Sequence, residues 1–76
     1  MKLIPIGFGN YISDIKIISV TAPDSAPIKR AVQECREKGK LIDASFGRST
    51  RSVIFTDSGH VVLSALPAES IAEKLE

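Results

Sequence analysis

The chain has 76 residues, ten Lys or Arg against nine Asp or Glu, and a formal net charge of +1. A chain this short accommodates one domain (residues 1–76), and it buries only about 60% of the surface that its unfolded form exposes. Its single cysteine excludes an internal disulfide, and one Cys with one His cannot supply the four ligands of a structural zinc site. Self-association is therefore the expected way to add buried surface.

The N-terminal segment Lys2–Ile6 predicts a short edge or first strand, because Pro5 cannot donate a hydrogen bond to a neighbouring strand. Gly7–Asn10 predicts a turn. The apolar run is too short and too interrupted for a signal peptide, and no stretch approaches the roughly 20 apolar residues that cross a bilayer. We expect a cytoplasmic protein with no membrane partner.

The next segment, Tyr11–Thr21, is rich in β-branched residues and predicts a strand with a break near Ser13 and Asp14. A helix should follow. Asp24 or Ser25 can cap its first amide groups, and Pro27 suits its first turn, where a missing N–H donor has no consequence.

This helix carries an apolar stripe at helical spacing, formed by Ile28, Ala31, Val32 and Cys35. Gly39 is expected to end the helix in the left-handed conformation. We interpret Cys35 as a small buried hydrophobic residue, because the sequence offers no partner that would activate its thiol.

Three more strands are predicted after the helix. Ile42, Ala44 and Phe46 alternate with polar residues, which is typical of a half-buried strand. Ser52–Thr56 and Val61–Ala65 follow, joined by a hairpin with Gly59 at positive φ and an exposed His60.

A short helix after Pro67 ends the chain, and its expected apolar stripe is Ala68, Ile71, Ala72 and Leu75. The predicted order is therefore β-β-α-β-β-β-α. It indicates an α+β fold in which a small, mostly antiparallel sheet packs with two helices.

The most informative segment for function is Ile42–Ile54, where two arginines and small hydroxyl residues follow Gly47. Arg48 and Arg51 lie between two predicted strands, where a rigid sheet can hold a planar guanidinium against phosphate or a guanine edge. A merely solvated loop is the alternative. Charge favours a binding role, because residues 29–51 hold seven basic and three acidic residues, while the remainder holds three and six.

Five runs of the chain are distinctive: Ile6–Asn10, Asp24–Arg30, Leu41–Ala44, Gly47–Arg48 with Thr50–Arg51, and Asp57–Ala65. These runs resemble the RemA (formerly YlzA) family of bacterial regulators. The resemblance extends over nearly the whole chain. It implies a DNA-binding transcriptional regulator, in Bacillus an activator of biofilm-matrix operons. It also implies a ring-shaped homo-oligomer, with an octamer as the first expectation and subunit pairs similar to the LytTR DNA-binding domain.

By position, the resemblance implies that Lys16 and Arg48 contact double-stranded DNA, with Arg51 close by. The family usually has Arg where this chain has Lys16, and lysine lacks the planar guanidinium fork of arginine. The family also usually has a second Arg where this chain has Ser49. The complete candidate set is Lys16, Lys29, Arg30, Arg48, Ser49, Thr50 and Arg51. Repeated around a ring, these residues would bind or wrap duplex DNA mainly through its backbone.

Two other functions stay open. An RNA- or nucleotide-binding module would need stacking platforms, for which Tyr11 and Phe8 are the exposed-looking aromatic residues. A non-catalytic protein-interaction domain would treat the basic segment as a solvated face. An enzyme is not expected, because the sequence has only one His and one Cys and shows no pair of carboxylates at a catalytic spacing. We expect no cofactor, no metal and no small-molecule substrate.

Overall fold

A computed structural model describes all residues from Met1 to Glu76. Its elements are β1 (Leu3–Gly7), β2 (Asn10–Ser13), β3 (Ile17–Thr21), α1 (Ala26–Glu37), β4 (Leu41–Asp43), β5 (Ser52–Thr56), β6 (Val61–Ser64) and α2 (Ala68–Leu75). The predicted α+β class is confirmed. The predicted break in the second strand is a short 3₁₀ turn at Asp14–Lys16, which divides that strand into β2 and β3.

The strands form two sheets. β1 and β2 are an antiparallel hairpin, and the other four strands lie in the order β3-β5-β6-β4. The β3–β5 and β5–β6 pairs are antiparallel, whereas β4 pairs with β6 in parallel. This parallel pair exists because α1 carries the chain from β3 across the sheet to the far edge, so that β4 runs in the same direction as β3.

The four-stranded sheet is covered on both faces. Successive residues of a strand point to opposite faces, and Val53 and Ile54 of β5 are both fully buried. Ile54 packs under the β1–β2 hairpin and α2, in a cluster formed by Ile4, Ile6, Ala44, Ile54, Val62 and Ile71. Val53 packs under α1, in a second cluster with Val61 and Leu63. The functional loops must therefore emerge from the ends and edges of a three-layer structure.

Local signals placed α1 correctly. The Ser25 hydroxyl accepts a hydrogen bond from the Ile28 amide at 3.3 Å, and Pro27 lies in the first turn. Gly39 follows the helix with φ of +73°. Cys35 lies half-buried against the second cluster, so it is less enclosed than expected.

The ends of the chain's later elements differ in detail from the prediction. The last strand ends at Ser64 instead of Ala65. The Ser64 side chain is fully buried, and its hydroxyl donates to the Ile6 carbonyl at 2.8 Å and accepts from the Leu66 amide at 3.0 Å. His60 is half-buried rather than exposed, with Nδ1 at 2.8 Å from the Ser58 hydroxyl. In α2 only Ile71 is buried. Neither helix has the length and apolar character that crossing a lipid bilayer requires.

The predicted half-buried strand Ile42–Phe46 is wrong beyond Asp43. The Asp43 carboxylate accepts hydrogen bonds from the Ser45 amide at 2.9 Å and from the Ser45 hydroxyl at 2.5 Å. This side chain turns the backbone, as Asp commonly does two residues ahead of itself, and so ends β4. Phe46 is consequently 77% exposed instead of facing the core.

Candidate nucleic-acid interface

The loop from Ala44 to Arg51, called here the arginine loop, begins with a tight turn. The Arg48 amide donates to the Ser45 carbonyl at 3.0 Å, and between them Phe46 and Gly47 have φ of +56° and +76°. Two successive residues at positive φ are the mark of a type I′ turn. The Ser45 hydrogen bonds lower the pKa of the Asp43 carboxyl, so the group that organises the turn is a carboxylate at neutral pH.

A second turn of the same kind joins β1 to β2. Phe8 and Gly9 have φ of +54° and +79°, between the paired residues Gly7 and Asn10. The Asn10 side-chain amide donates to the Gly7 carbonyl at 3.0 Å and closes the turn. We call residues 7–10 the glycine turn. Its single bulky residue is a phenylalanine in a conformation that bulky residues rarely adopt.

The glycine turn and the arginine loop meet through their phenylalanines. The rings of Phe8 and Phe46 stack with centroids 5.3 Å apart and planes inclined by 22°. The Arg48 guanidinium carbon lies 5.7 Å from the centroid of Phe8, within cation–π range. We call these three residues the aromatic–arginine cluster.

The cluster is exposed. Phe8 is 50% exposed and Phe46 77%, and the Arg48 side chain makes no hydrogen bond or ion pair within the chain. The contact with Phe8 restricts the guanidinium without using its five N–H donors. Arg48 is thus held in place yet free to bind an anion or a base edge.

The rest of the arginine loop is positioned by the backbone. Arg51 is exposed directly before β5, and its amide donates to the Ser64 carbonyl at 2.8 Å. Ser49 is exposed, and Thr50 is half-buried. The arginine loop therefore carries two exposed arginines, Arg48 and Arg51, within four residues.

Lys29 and Arg30 come from the first turns of α1, and both are exposed. Lys29 lines a groove of about 270 Å³ together with Arg36 and Thr50, on the sheet face that α1 covers. The fold therefore brings Lys29 close to the arginine loop. The Arg30 side chain does not line this groove.

Lys16 lies in a different groove from Lys29, one that Asn10 of the glycine turn and Ala44 of the arginine loop also line. It ends the 3₁₀ turn rather than lying in a strand as expected, and its ammonium group is 3.8 Å from the Asp57 carboxylate. Both side chains are about half exposed, so the attraction is weak. Lys16 lines a second groove, of about 290 Å³, on the opposite sheet face, between Tyr11 and Ile42.

Sequence reasoning identified Phe8 as an exposed aromatic residue but missed Phe46 and the stacking of the two rings. Phe46 was expected to face the core, and the contact between Phe8 and Phe46 joins residues that are distant along the chain. A signal was nevertheless present, because each phenylalanine stands directly before a glycine in a predicted or actual turn: Phe8 before Gly9, Phe46 before Gly47.

Comparison with known proteins places the chain among bacterial regulators. The family model described as RemA-like, extracellular matrix regulatory protein A-like, matches residues 3–75. A relative from Geobacillus thermodenitrificans is 57% identical over 75 residues, covering 99% of this chain and 86% of the relative. One from Acetivibrio thermocellus is 55% identical over 75 residues, covering 99% and 81%.

A third relative, from Acaryochloris marina, is 57% identical over 74 residues, covering 97% of this chain and 84% of the relative. All three relatives are named as regulatory proteins. The matches span every element of the fold, including both turns of the aromatic–arginine cluster. The chain therefore belongs to the RemA-like family of regulatory proteins.

Proposed function

We propose that this protein is a DNA-binding transcriptional regulator whose ring-shaped homo-oligomer binds duplex DNA through repeated copies of the arginine loop. The observation that carries the proposal is the state of Arg48. Its guanidinium is exposed, unpaired with any carboxylate and held beside the Phe8 ring. A preorganised guanidinium with free donors is suited to phosphate oxygens and to the guanine edge.

Charge supports the same function. The segment 29–51 carries a net charge of +4, in contrast to −3 for the remainder of the chain. A single subunit offers only a few cations from this segment, which is too few for tight binding to DNA. Repetition in an oligomer multiplies phosphate contacts, and each neutralised phosphate adds about 0.9 to the negative slope of log affinity against log salt.

The free edges of the four-stranded sheet support self-association. β3 and β4 are its two outer strands, and each has a large apolar residue on the surface: Ile18 is 68% exposed and Ile42 50%. Unpaired edges with exposed isoleucines favour addition of another strand. Because the two edges differ, contact between β3 of one copy and β4 of the next is head-to-tail, and head-to-tail contacts build a ring when the rotation between copies closes.

A single-strand or RNA-binding role is the second candidate, and the stacked phenylalanines favour it. Proteins that bind single strands stack successive bases on exposed aromatic rings. The basic segment would serve either nucleic acid.

The test is a titration of labelled duplex DNA, single-stranded DNA and RNA of equal length, followed by fluorescence anisotropy at several salt concentrations. The proposal expects tightest binding to the duplex, with a steep negative salt slope. Light scattering on the same samples should give a mass that is a multiple of 8.2 kDa. Preference for single strands would favour the second candidate, and no binding to any nucleic acid would favour a protein-interaction domain.

A further inference from the structure

We propose that Phe8 and Phe46 form a wedge that enters the DNA base stack next to Arg48 and partly unstacks one base step. This inference rests on the proposed function and adds a mode of contact to it. Cations account for attraction to the backbone but leave two exposed phenyl rings unexplained. In the wedge, the faces of the DNA bases bury these rings.

The conformation of both phenylalanines points to a role outside the subunit. Each has a positive φ, +54° for Phe8 and +56° for Phe46, a region that costs a bulky residue conformational free energy. Local strain of this kind persists where the surrounding structure enforces it, and here the Asp43–Ser45 hydrogen bonds and the Gly7–Asn10 closure do so. The strained backbone turns the rings outward instead of into the core, so the subunit itself gains little burial from them.

The chemistry next to the rings identifies the partner. Arg48 lies within cation–π range of Phe8, and Arg51 follows three residues later. Seating the rings in an apolar pocket of another protein would take the Arg48 guanidinium out of water, which is costly unless that protein places a carboxylate beside it. DNA avoids that penalty, because phosphates bind the guanidinium while base faces bury the rings.

The rings cannot bind the phosphates themselves, because a phenyl group has no hydrogen-bond donor. The apolar surfaces that DNA offers are the base faces, which lie inside the stack. Phenylalanine wedges reach them by opening a base step from the minor groove and bending the duplex. Flexible steps such as TA and CA are opened most easily, so the wedge would also give preference for deformable sequences.

The two rings should contribute differently. Phe46 is the more exposed, and the cation–π contact of Arg48 is with Phe8, so Phe46 is assigned the insertion itself. Phe8 is less exposed and touches both partners, so it supports Phe46 and positions Arg48. Removing Phe46 should therefore abolish unstacking while leaving the contribution of Arg48 intact.

The experiment uses the full-length protein and duplexes in which 2-aminopurine, a base whose fluorescence rises on unstacking, replaces adenine at successive positions. Wild type, Phe46→Ala, Phe46→Leu and Leu3→Ala are compared. Leu3 is the control, since it is an apolar residue, 58% exposed, that lies outside the cluster and lines neither groove. Anisotropy gives the affinity, and light scattering gives the mass of each variant.

We expect wild type to raise the fluorescence at one position or two adjacent positions for each copy of the arginine loop that contacts the duplex. Phe46→Ala should lose that signal and about tenfold in affinity, with unchanged mass and salt slope. Phe46→Leu should retain part of both, because leucine also serves as a wedge. Leu3→Ala should keep the fluorescence signal.

Other outcomes overturn the wedge in distinguishable ways. If wild type binds the duplex and Phe46→Ala gives the same affinity and fluorescence, the wedge is wrong and the proposed function stands. A lower mass for Phe46→Ala would assign the ring to a contact between subunits. If wild type binds single strands more tightly than the duplex, and Phe46→Ala weakens both affinities equally, the rings are a base-stacking platform and not a wedge. Absence of duplex binding by wild type would overturn both proposals.

Discussion

The Arg48 guanidinium carbon lies 5.7 Å from the centroid of the Phe8 ring, across two turns that are about 40 residues apart in the chain. Phe8 stacks in turn on Phe46, the second residue of the Ser45–Arg48 turn. The glycine turn and the arginine loop therefore act as one surface. A substitution in one turn should therefore alter the side-chain positions in the other.

This contact predicts coupling between Phe8 and Arg48 in DNA binding. Without the ring, the guanidinium samples more rotamers and part of its binding free energy is spent on ordering it. Phe8→Ala and Arg48→Ala should each weaken duplex binding, and the double variant should bind about 0.5–1 kcal/mol better than the sum of the single losses predicts. Dissociation constants for the four proteins measure the coupling. Strict additivity would show that the ring does not position Arg48.

Asp43 should stabilise the fold in a pH-dependent way. Its pKa is lowered from 3.8, chiefly by hydrogen bonds from the Ser45 hydroxyl and amide. A group with a lowered folded-state pKa stabilises the protein above its unfolded pKa, and this stabilisation is lost as the pH falls through the folded value. Because Asp43 is exposed, we expect Asp43→Asn to lower the free energy of unfolding by only a few tenths of a kcal/mol at pH 7.

The measurement is urea denaturation of wild type and Asp43→Asn between neutral pH and the lowest pH at which both fold. The difference in free energy of unfolding should be constant near neutrality and shrink below about pH 4. A difference that is unchanged at acid pH would mean that the charge of Asp43 does not contribute.

The exposed isoleucines at the sheet edges predict where assembly can be broken. Ile18→Lys and Ile42→Lys each place a charge on an outer strand, a device that blocks addition of further strands. Both residues are at least half exposed in the single subunit, so the variants should fold with a normal circular dichroism spectrum. Light scattering at micromolar concentration should show a mass falling toward 8.2 kDa.

Lys74→Ala is the control and should keep the wild-type mass, because Lys74 lies on α2 and its removal places no charge on either outer strand. If wild type itself is monomeric at this concentration, self-association is wrong. If both edge variants keep the full mass, subunits associate through another surface.

Cys35 should be structural. It packs half-buried on the cluster of Val53, Val61 and Leu63, and its thiol lies 3.8 Å from the Gly59 carbonyl oxygen. Cys35→Ala removes only one sulfur atom from a partly enclosed site, so we expect a loss of about 1 kcal/mol in the free energy of unfolding. Duplex affinity should not change. Loss of DNA binding in a folded, assembled Cys35→Ala protein would place the thiol at the binding surface.

The parts of the fold that sequence reasoning predicted are those set by local interactions. Ser25 caps α1, Pro27 fits its first turn and Gly39 follows it at positive φ, all within a few residues of each other. The strand Ser52–Thr56 has the bounds that its composition predicts. Such features depend on neighbours in sequence, so they can be predicted from sequence.

The features that were missed depend on competition or on distance. The alternation of apolar and polar residues predicted a strand as far as Phe46. Instead, two hydrogen bonds from Ser45 to the Asp43 carboxylate turn the chain and end β4. The parallel pairing of β4 with β6 follows from the path of α1 across the sheet, which local pattern does not specify. The Phe8–Phe46 stack joins two turns whose proximity exists only in the folded chain.

The most direct test of DNA binding through the arginine loop is the salt dependence of duplex affinity for wild type, Arg48→Ala and Lys74→Ala. Arg48→Ala should bind at least tenfold more weakly and with a shallower slope of log affinity against log salt, because a phosphate contact is lost from every subunit. Lys74→Ala, whose ammonium lies on α2 between Glu73 and Glu76 in sequence, should match wild type. Equal affinities and equal slopes for all three proteins would contradict DNA binding through this loop.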